Sequence, residues 1–102
     1  MHIRISGIDT PPADEKRAYA EYRLFRAIAP YQPMIGAVDV AVERDLTAQR
    51  PFLCTVAVEL GPSGRIRTRA RATHPSAAID MAADRTARLI GRRLAATRSG
   101  VS

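Results

Sequence analysis

Polar and apolar residues alternate in four short segments, the period expected of β-strands that have one buried face. The alternating segments are residues 2–6, 37–44, 52–60 and 65–72. Gly7 follows the first segment, and the turn-forming residues 61–64 (Gly-Pro-Ser-Gly) separate the last two. Short strands joined by such a glycine turn are typical of an antiparallel hairpin. The sequence therefore predicts four strands, of which the last two are paired.

Two further segments have the 3.6-residue period of an amphipathic helix. Thr10-Pro11-Pro12 predicts the start of the first helix, since it combines a hydroxyl N-cap candidate with proline, and Pro30 and Pro33 predict its end. His74-Pro75-Ser76 predicts the start of the second helix. The predicted apolar face is Ala20, Leu24, Ala27, Ile28 and Tyr31 in the first helix, and Ile79, Ala82, Ala83, Thr86, Ile90 and Leu94 in the second.

The resulting element order, β-α-β-β-β-α, predicts an α+β fold. Because each strand has one apolar face, we expect a four-stranded mixed sheet with both helices packed on one face, similar to a double-stranded-RNA-binding domain. The first two strands should be parallel across the helix, and the later pairs antiparallel. We expect one domain over residues 1–98 and a flexible tail at 99–102.

The segment RIRTRARA, residues 65–72, has an arginine at every second position. Alternate side chains of a strand point to the same face of the sheet. The inward row is therefore predicted to be Ile66, Thr68, Ala70 and Ala72. The outward row, Arg65, Arg67, Arg69 and Arg71, would form a stripe roughly 20 Å long on the open face, at ~6.6 Å per two residues.

Composition and charge are those of a basic globular domain. The chain has 102 residues, 46% hydrophobic and 25% charged, with a net charge of +6. All but one of its 16 basic residues are arginine, which binds phosphate bidentately and stacks on bases. A GC-rich coding sequence would by itself explain the preference for arginine over lysine, whereas the net charge favours a phosphate-rich partner.

Several classes of function are disfavoured by what the sequence lacks. The single cysteine, Cys54, excludes an internal disulfide and a zinc cluster, and its position among apolar strand residues favours a core role. The chain has neither a signal-peptide pattern nor an apolar run of about eighteen residues, so we expect a cytoplasmic protein that does not enter a membrane.

The sequence also has no phosphate-binding glycine loop, nucleophile elbow or Cys–His pair. We therefore expect neither enzyme activity, nor a cofactor, nor a small-molecule substrate. Asp80 and Asp84 are a pair suited to metal binding or acid–base chemistry, but charge near a helix start and ion pairing, for example between Asp84 and Arg88, explain them more simply.

Basic residues cluster in three sets, which together favour an RNA-phosphate surface. Since the open face of the predicted sheet lacks interleaved aromatic residues, we expect recognition of the backbone and shape of folded RNA. The sets are the strand stripe already given, the second half of helix two (Arg85, Arg88, Arg92, Arg93), and the exposed face of helix one (Lys16, Arg17, Arg23, Arg26).

The residues that follow resemble a known family. They are Ile3-Arg4-Ile5-Ser6-Gly7 at the start, the turn at residues 61–64, and Ala77-Ala78-Ile79-Asp80 with Asp84-Arg85, Arg88 and Arg92-Arg93 in helix two. In this order they resemble the bacterial hibernation-promoting factors, ribosome-associated inhibitors also labelled sigma-54 modulation proteins. The resemblance extends over essentially the whole chain and is most specific in helix two. It is nearest to the short form of the family.

The resemblance implies binding to small-subunit rRNA in the channel used by mRNA and tRNA, which blocks translation and stores inactive ribosomes in stationary phase or stress. It implies no catalysis and no cofactor, and we expect the free protein to be a monomer or a weak dimer. The candidate rRNA-binding residues are Arg17, Arg23, Arg26, Arg65, Arg67, Arg69, Arg71, Arg85, Arg88, Arg92 and Arg93.

Departures from the family pattern leave alternatives open. Ser76 replaces an aromatic residue, His74-Pro75 replaces an acidic helix cap, and Lys16 occupies a leucine-like position. The lysines typical of the helix ends are arginines or absent, and the fourth strand carries more arginines than is usual for the family. The alternatives are a divergent paralogue that regulates another protein by direct interaction, and a generic binder of structured RNA.

Overall fold

The structure, a computed structural model, describes residues 1–7 and 13–100 and has the predicted element order. The α+β architecture predicted from the sequence is confirmed. The strands are β1 (His2–Ser6), β2 (Ala37–Arg44), β3 (Phe52–Glu59) and β4 (Arg65–Ala72); the helices are α1 (Ala13–Ile28) and α2 (Pro75–Gly100); and 3₁₀ segments cover Ala29–Met34 and Gly61–Ser63.

The four strands form one mixed sheet in the order β1-β2-β3-β4. Strands β1 and β2 are parallel, with Ile3 beside Val38, because a helix connects them. The other two pairs are antiparallel hairpins, with Val38 beside Val58 and Val58 beside Ile66. Consequently β1 and β4 are the two edges of the sheet.

The core lies between one face of the sheet and the two helices. Leu24 and Ile28 of α1 and Ile79 and Ile90 of α2 have at most 1% of their surface exposed. Burying a side chain of this size stabilises the fold by about 1.5–3 kcal/mol. Both predicted helix stripes are confirmed as the packed faces, with Ala27, Tyr31 and Leu94 partly buried against the core.

The ends of the helices add detail to the prediction. Helix α1 ends at Ile28, and the chain continues through Pro30 and Pro33 as a 3₁₀ turn, since proline cannot donate the α-helical hydrogen bond. Helix α2 extends from Pro75 to Gly100. The predicted helix start at residues 10–12 and the end of the tail at 101–102 lie outside the described residues.

Gly7, at the end of β1, is required by close packing against β2. Its φ of 82° lies in the left-handed region, which residues with a Cβ rarely adopt. A Cβ at this position would lie 2.4 Å from the carbonyl oxygen of Val42, which is far inside van der Waals contact. Both the backbone conformation and the lack of room for a side chain therefore require glycine at this position.

Cys54 is a core residue of β3, as the sequence predicted. Its side chain is fully buried, and burial raises the pKa of its thiol to about 12. Because the thiolate is the reactive form, this cysteine is inert in the folded protein at neutral pH. None of the helices in the described part of the chain is both long and apolar enough to span a membrane.

A chain of two hydrogen bonds within the core joins β4 to α2. The hydroxyl of Thr86 donates to the carbonyl oxygen of Ala82 at 2.7 Å. Its single proton is thereby used, so the hydroxyl of Thr68, also 2.7 Å away, donates to it. Both threonines are buried away from water, so their hydroxyl groups have to be satisfied by these two hydrogen bonds.

We predict that the two threonines contribute unequally to stability. Thr86→Val should lower the free energy of unfolding by about 1–3 kcal/mol, because it leaves the buried Thr68 hydroxyl without an acceptor. Thr68→Val should cost less, since Thr86 keeps its bond to Ala82. The double variant should be no less stable than Thr86→Val alone. Denaturant titration measures all three, and strictly additive losses would contradict the proton assignment.

Candidate nucleic-acid interface

The four arginines of β4 lie on the open face of the sheet, as predicted. Burial alternates strictly along β4: the arginines are exposed, whereas Ile66, Thr68, Ala70 and Ala72 are buried. The helices cover the opposite face, so nothing in the described chain covers this stripe. The prediction that the four arginines of residues 65–72 share one exposed face is confirmed.

The four arginines of the stripe differ in their partners. Arg65 forms a salt bridge with Glu59 at 2.9 Å. Arg71 is near enough to Asp45 for its charge to help lower the pKa of that carboxyl group. Hydrogen bonds from Thr47 are the main cause of the lowered pKa. The guanidinium groups of Arg67 and Arg69, in contrast, make no hydrogen bond or ion pair within the part of the chain that the structure describes.

Next to these two arginines the sheet surface is shallow and made of small side chains. Ala57 pairs with Arg67, and Thr55 pairs with Arg69. With Ala41 of β2 they form the floor of an open depression of about 340 Å³, bounded by Arg67 on one side and Arg4 on the other. Arg4 is held by a 2.8 Å salt bridge to Asp39. Arg67 therefore supplies a free charge beside a surface that a large group can approach.

On the other side of the molecule, Arg23 joins the two helices. Its guanidinium contacts Asp80 at 3.1 Å and Asp84 at 2.8 Å. The hydroxyl of Tyr19 also donates to Asp80, and this bond raises the pKa of Tyr19. The hydrogen bond to Asp84 likewise raises the pKa of Arg23, which stays charged. The pair that forms is thus Asp84 with Arg23, where the sequence allowed Asp84 with Arg88.

Beside this ionic contact lies an open groove between α1 and α2, with a volume of about 450 Å³. Arg26 and Arg88 line it from opposite helices, and Ala27 and Ala87 provide small side chains. Arg88 and the next outward residue of α2, Arg92, are exposed, and no described residue pairs with either side chain. Arg17 is also exposed but lies outside the groove. The groove is the basic site of the helical layer.

Two other arginines of α2, Arg85 and Arg93, contact the backbone of the edge strand β4 and of the turn before it. Arg85 donates to the carbonyl oxygen of Arg69 at 2.6 Å. Arg93 donates to the carbonyl oxygens of Ser63, at 3.0 Å, and Arg65, at 3.4 Å. An edge strand has carbonyls with no neighbouring strand to pair with. These two side chains supply the missing donors, and so they hold α2 against β4.

Two aromatic residues near the groove were missed by the sequence prediction. Tyr22 and Phe25 lie on the outward side of α1 with 57% and 46% of their surface exposed. Arg26 lies over the Tyr22 ring, 5.7 Å from its centre, and donates a hydrogen bond to its hydroxyl at 3.1 Å. The available signal was that neither aromatic belongs to the apolar face formed by Ala20, Leu24 and Ile28.

The acidic side chains of the described residues are not grouped for metal binding. The described residues contain no group of three or more His, Cys, Asp or Glu side chains placed to hold a metal ion. The carboxylates Asp80 and Asp84 are engaged by Arg23. The depressions on both faces are open and bounded by guanidinium groups. Fold and surface together define a small basic α+β binding domain.

Comparison with known proteins identifies the family. Residues 3–97 match the model of the family described as sigma 54 modulation protein / S30EA ribosomal protein, and the chain belongs to this family. This confirms the resemblance noted from the sequence. The family consists of non-catalytic ribosome-binding modulators, which also confirms the prediction that the protein is not an enzyme. None of the curated proteins compared with the chain matches it significantly.

Two solved structures share the fold. A ribosomal subunit interface protein from Coxiella burnetii is 20% identical, with a TM-score of 0.76, over 93% of this chain and 99% of that one. The N-terminal domain of Protein Y from Thermus thermophilus is 28% identical, with a TM-score of 0.72, over 90% of this chain and 98% of that one. The chain therefore covers nearly the whole of each related structure.

We predict that the arginines of α2 separate into two classes in stability measurements. Arg93→Met should lower the free energy of unfolding by about 1 kcal/mol, and Arg85→Met by less, because each removes a donor from an edge carbonyl. Arg88→Met and Arg92→Met should change it by less than about 0.5 kcal/mol. Urea titration of the four variants checks this, and equal effects would show that the edge contacts do not hold α2.

Proposed function

We propose that the protein is a cytoplasmic ribosome-associated translation inhibitor that binds small-subunit rRNA in the channel used by mRNA and tRNA. The observation that carries the proposal is that both exposed faces present arginines with no partner in the described chain: Arg67 and Arg69 on the sheet, and Arg88 and Arg92 on α2. Exposed guanidinium groups without a protein partner are available to neutralise phosphates. Family membership supports the ribosome as that partner.

The mode of binding follows from the geometry of the arginines. The interhelical groove and the sheet depression are open, and an open basic surface suits the phosphate backbone of folded RNA. Arg23, Arg65, Arg85 and Arg93 already have protein partners. We propose that these four arginines shape the surface and add to its positive electrostatic potential. Direct phosphate contacts are assigned to Arg26, Arg67, Arg69, Arg88 and Arg92, with Arg17 and Arg71 at the margins.

Inhibition would follow from occupancy alone. A domain bound in the mRNA–tRNA channel excludes both ligands sterically, so no chemical step and no cofactor is needed. The protein should therefore co-sediment with small subunits at moderate salt and reduce cell-free translation in proportion to ribosome occupancy. Absence from every ribosomal fraction at low salt would refute the proposal. Equal affinity for arbitrary RNA duplexes would favour a generic RNA binder, and partners that survive nuclease treatment would favour a protein regulator.

The salt dependence of binding should reveal which face meets rRNA. Each phosphate contact that is lost lowers the slope of log affinity against log salt by about 0.7–0.9. Arg88→Gln with Arg92→Gln should therefore lower the slope for small subunits by about 1.4–1.8. Arg67→Gln with Arg69→Gln should lower the slope by the same amount, and an unchanged slope would show that the sheet stripe does not contact phosphate.

The matched control removes the same charge elsewhere. Arg44→Gln with Arg50→Gln takes two arginines from the end of β2 and the following loop, so it changes the net charge equally. We expect its slope to stay close to that of the unmodified protein. If the control lowers the slope as much as the α2 pair, binding depends on net charge alone, and the assignment of a specific face is wrong.

A further inference from the structure

The outward side of α1 carries a feature that phosphate binding does not explain. Tyr22 and Phe25, three residues apart, lie next to each other on the helix and are 57% and 46% exposed. They do not contribute to the core, whose α1 members are Ala20, Leu24 and Ile28. Two large rings held in water on a small basic domain lose apolar stabilisation that burial would give, so their exposure needs another reason.

Arg26 fixes the Tyr22 ring and joins it to the basic groove. It stacks near the ring, at 5.7 Å from the centre, and also donates to the Tyr22 hydroxyl. The same side chain lines the groove opposite Arg88. The aromatic pair is thus continuous with a surface whose charge favours an anion. Glu21, four residues before Phe25, flanks the aromatic pair on the side of Phe25, whereas Arg26 flanks it on the side of Tyr22.

This combination matches an unpaired RNA base better than an apolar protein surface. A base has a flat π-face that stacks on an aromatic ring or a guanidinium plane, and the phosphate of the same nucleotide is attracted to a nearby arginine. An apolar helix or strand from a protein would have to desolvate Arg26, which has no carboxylate partner among the described residues. The arginine therefore favours the nucleotide.

We infer that Tyr22, Phe25 and Arg26 form a stacking platform for one or two unpaired bases of the bound RNA. The inference rests on the proposed function, because it adds base stacking to a surface that otherwise contacts phosphates. It makes single-stranded or bulged nucleotides beside the groove part of what the protein recognises. Bases that are paired within a duplex are not available to the platform.

The first test compares ring loss with ring retention in binding to purified small subunits. Tyr22→Leu with Phe25→Leu keeps apolar bulk but removes both π-faces, and it should weaken binding roughly five- to 150-fold for one stacked base. Tyr22→Phe keeps the ring and should bind nearly as the unmodified protein does. Leu46→Ala, which removes a 73% exposed apolar residue from a distant loop, is the matched control and should have no effect.

The outcomes separate this inference from the proposed function. If the unmodified protein binds small subunits and the double leucine variant binds equally well, the platform is wrong while the proposed function stands. That result would also be the one expected of an apolar protein contact, which leucine can still make. If the unmodified protein fails to bind small subunits even at low salt, the proposed function is wrong and the platform is lost with it.

The second test detects stacking directly. The chain contains no tryptophan, so Tyr22→Trp introduces a single tryptophan at the platform, whose fluorescence can be excited separately from that of the tyrosines. An adenine oligonucleotide should quench this fluorescence, whereas a fully paired RNA hairpin of equal length should not, and anisotropy of end-labelled RNA reports binding of each independently. Quenching by the oligonucleotide alone supports the platform. Equal quenching by both RNAs, or none by the oligonucleotide, overturns it.

Discussion

The strict two-residue period of the strands is the constraint on which the rest of the structure depends. Because the buried residues of β2, β3 and β4 all lie on one face of the sheet, both helices must pack on that face, and every second residue of β4 must face away from it. The arginine stripe is therefore a direct consequence of the fold. A shift of the register by one residue would bury four guanidinium groups, so the stripe and the core specify each other.

The helical layer uses its charges differently from the sheet. Arg23 links α1 to α2 through Asp80 and Asp84, and Arg85 and Arg93 link α2 to the edge of the sheet. These contacts stiffen the frame in which the unpaired Arg88 and Arg92 are presented. A residue of the A-A-I-D segment, Asp80, thus acts here as the acceptor of an interhelical contact. Arg23, Arg85 and Arg93, which the sequence predicted to bind RNA, therefore also hold the helices and the sheet together.

The fold was predictable from the sequence because it follows from periodicity. Alternation over residues 65–72 and the helical spacing of Ile79, Ala83 and Ile90 each specify a face, and the structure confirms both. The site was only partly predictable. Whether an arginine is paired depends on which elements meet in space, so the partners of Arg23 and Arg93 could not be read from the chain. Tyr22 and Phe25 were missed because the prediction looked for aromatic residues on the sheet.

Binding to rRNA through the groove between the helices is the central feature of the proposed function. The single native cysteine is fully buried with a pKa of about 12, so Ala87→Cys would place one reactive thiol in the groove. A photo-crosslinker attached there should react with small-subunit rRNA, and one attached to Leu46→Cys in the distant loop should do so much less. Cross-links from the groove to ribosomal proteins or large-subunit rRNA alone would contradict the account.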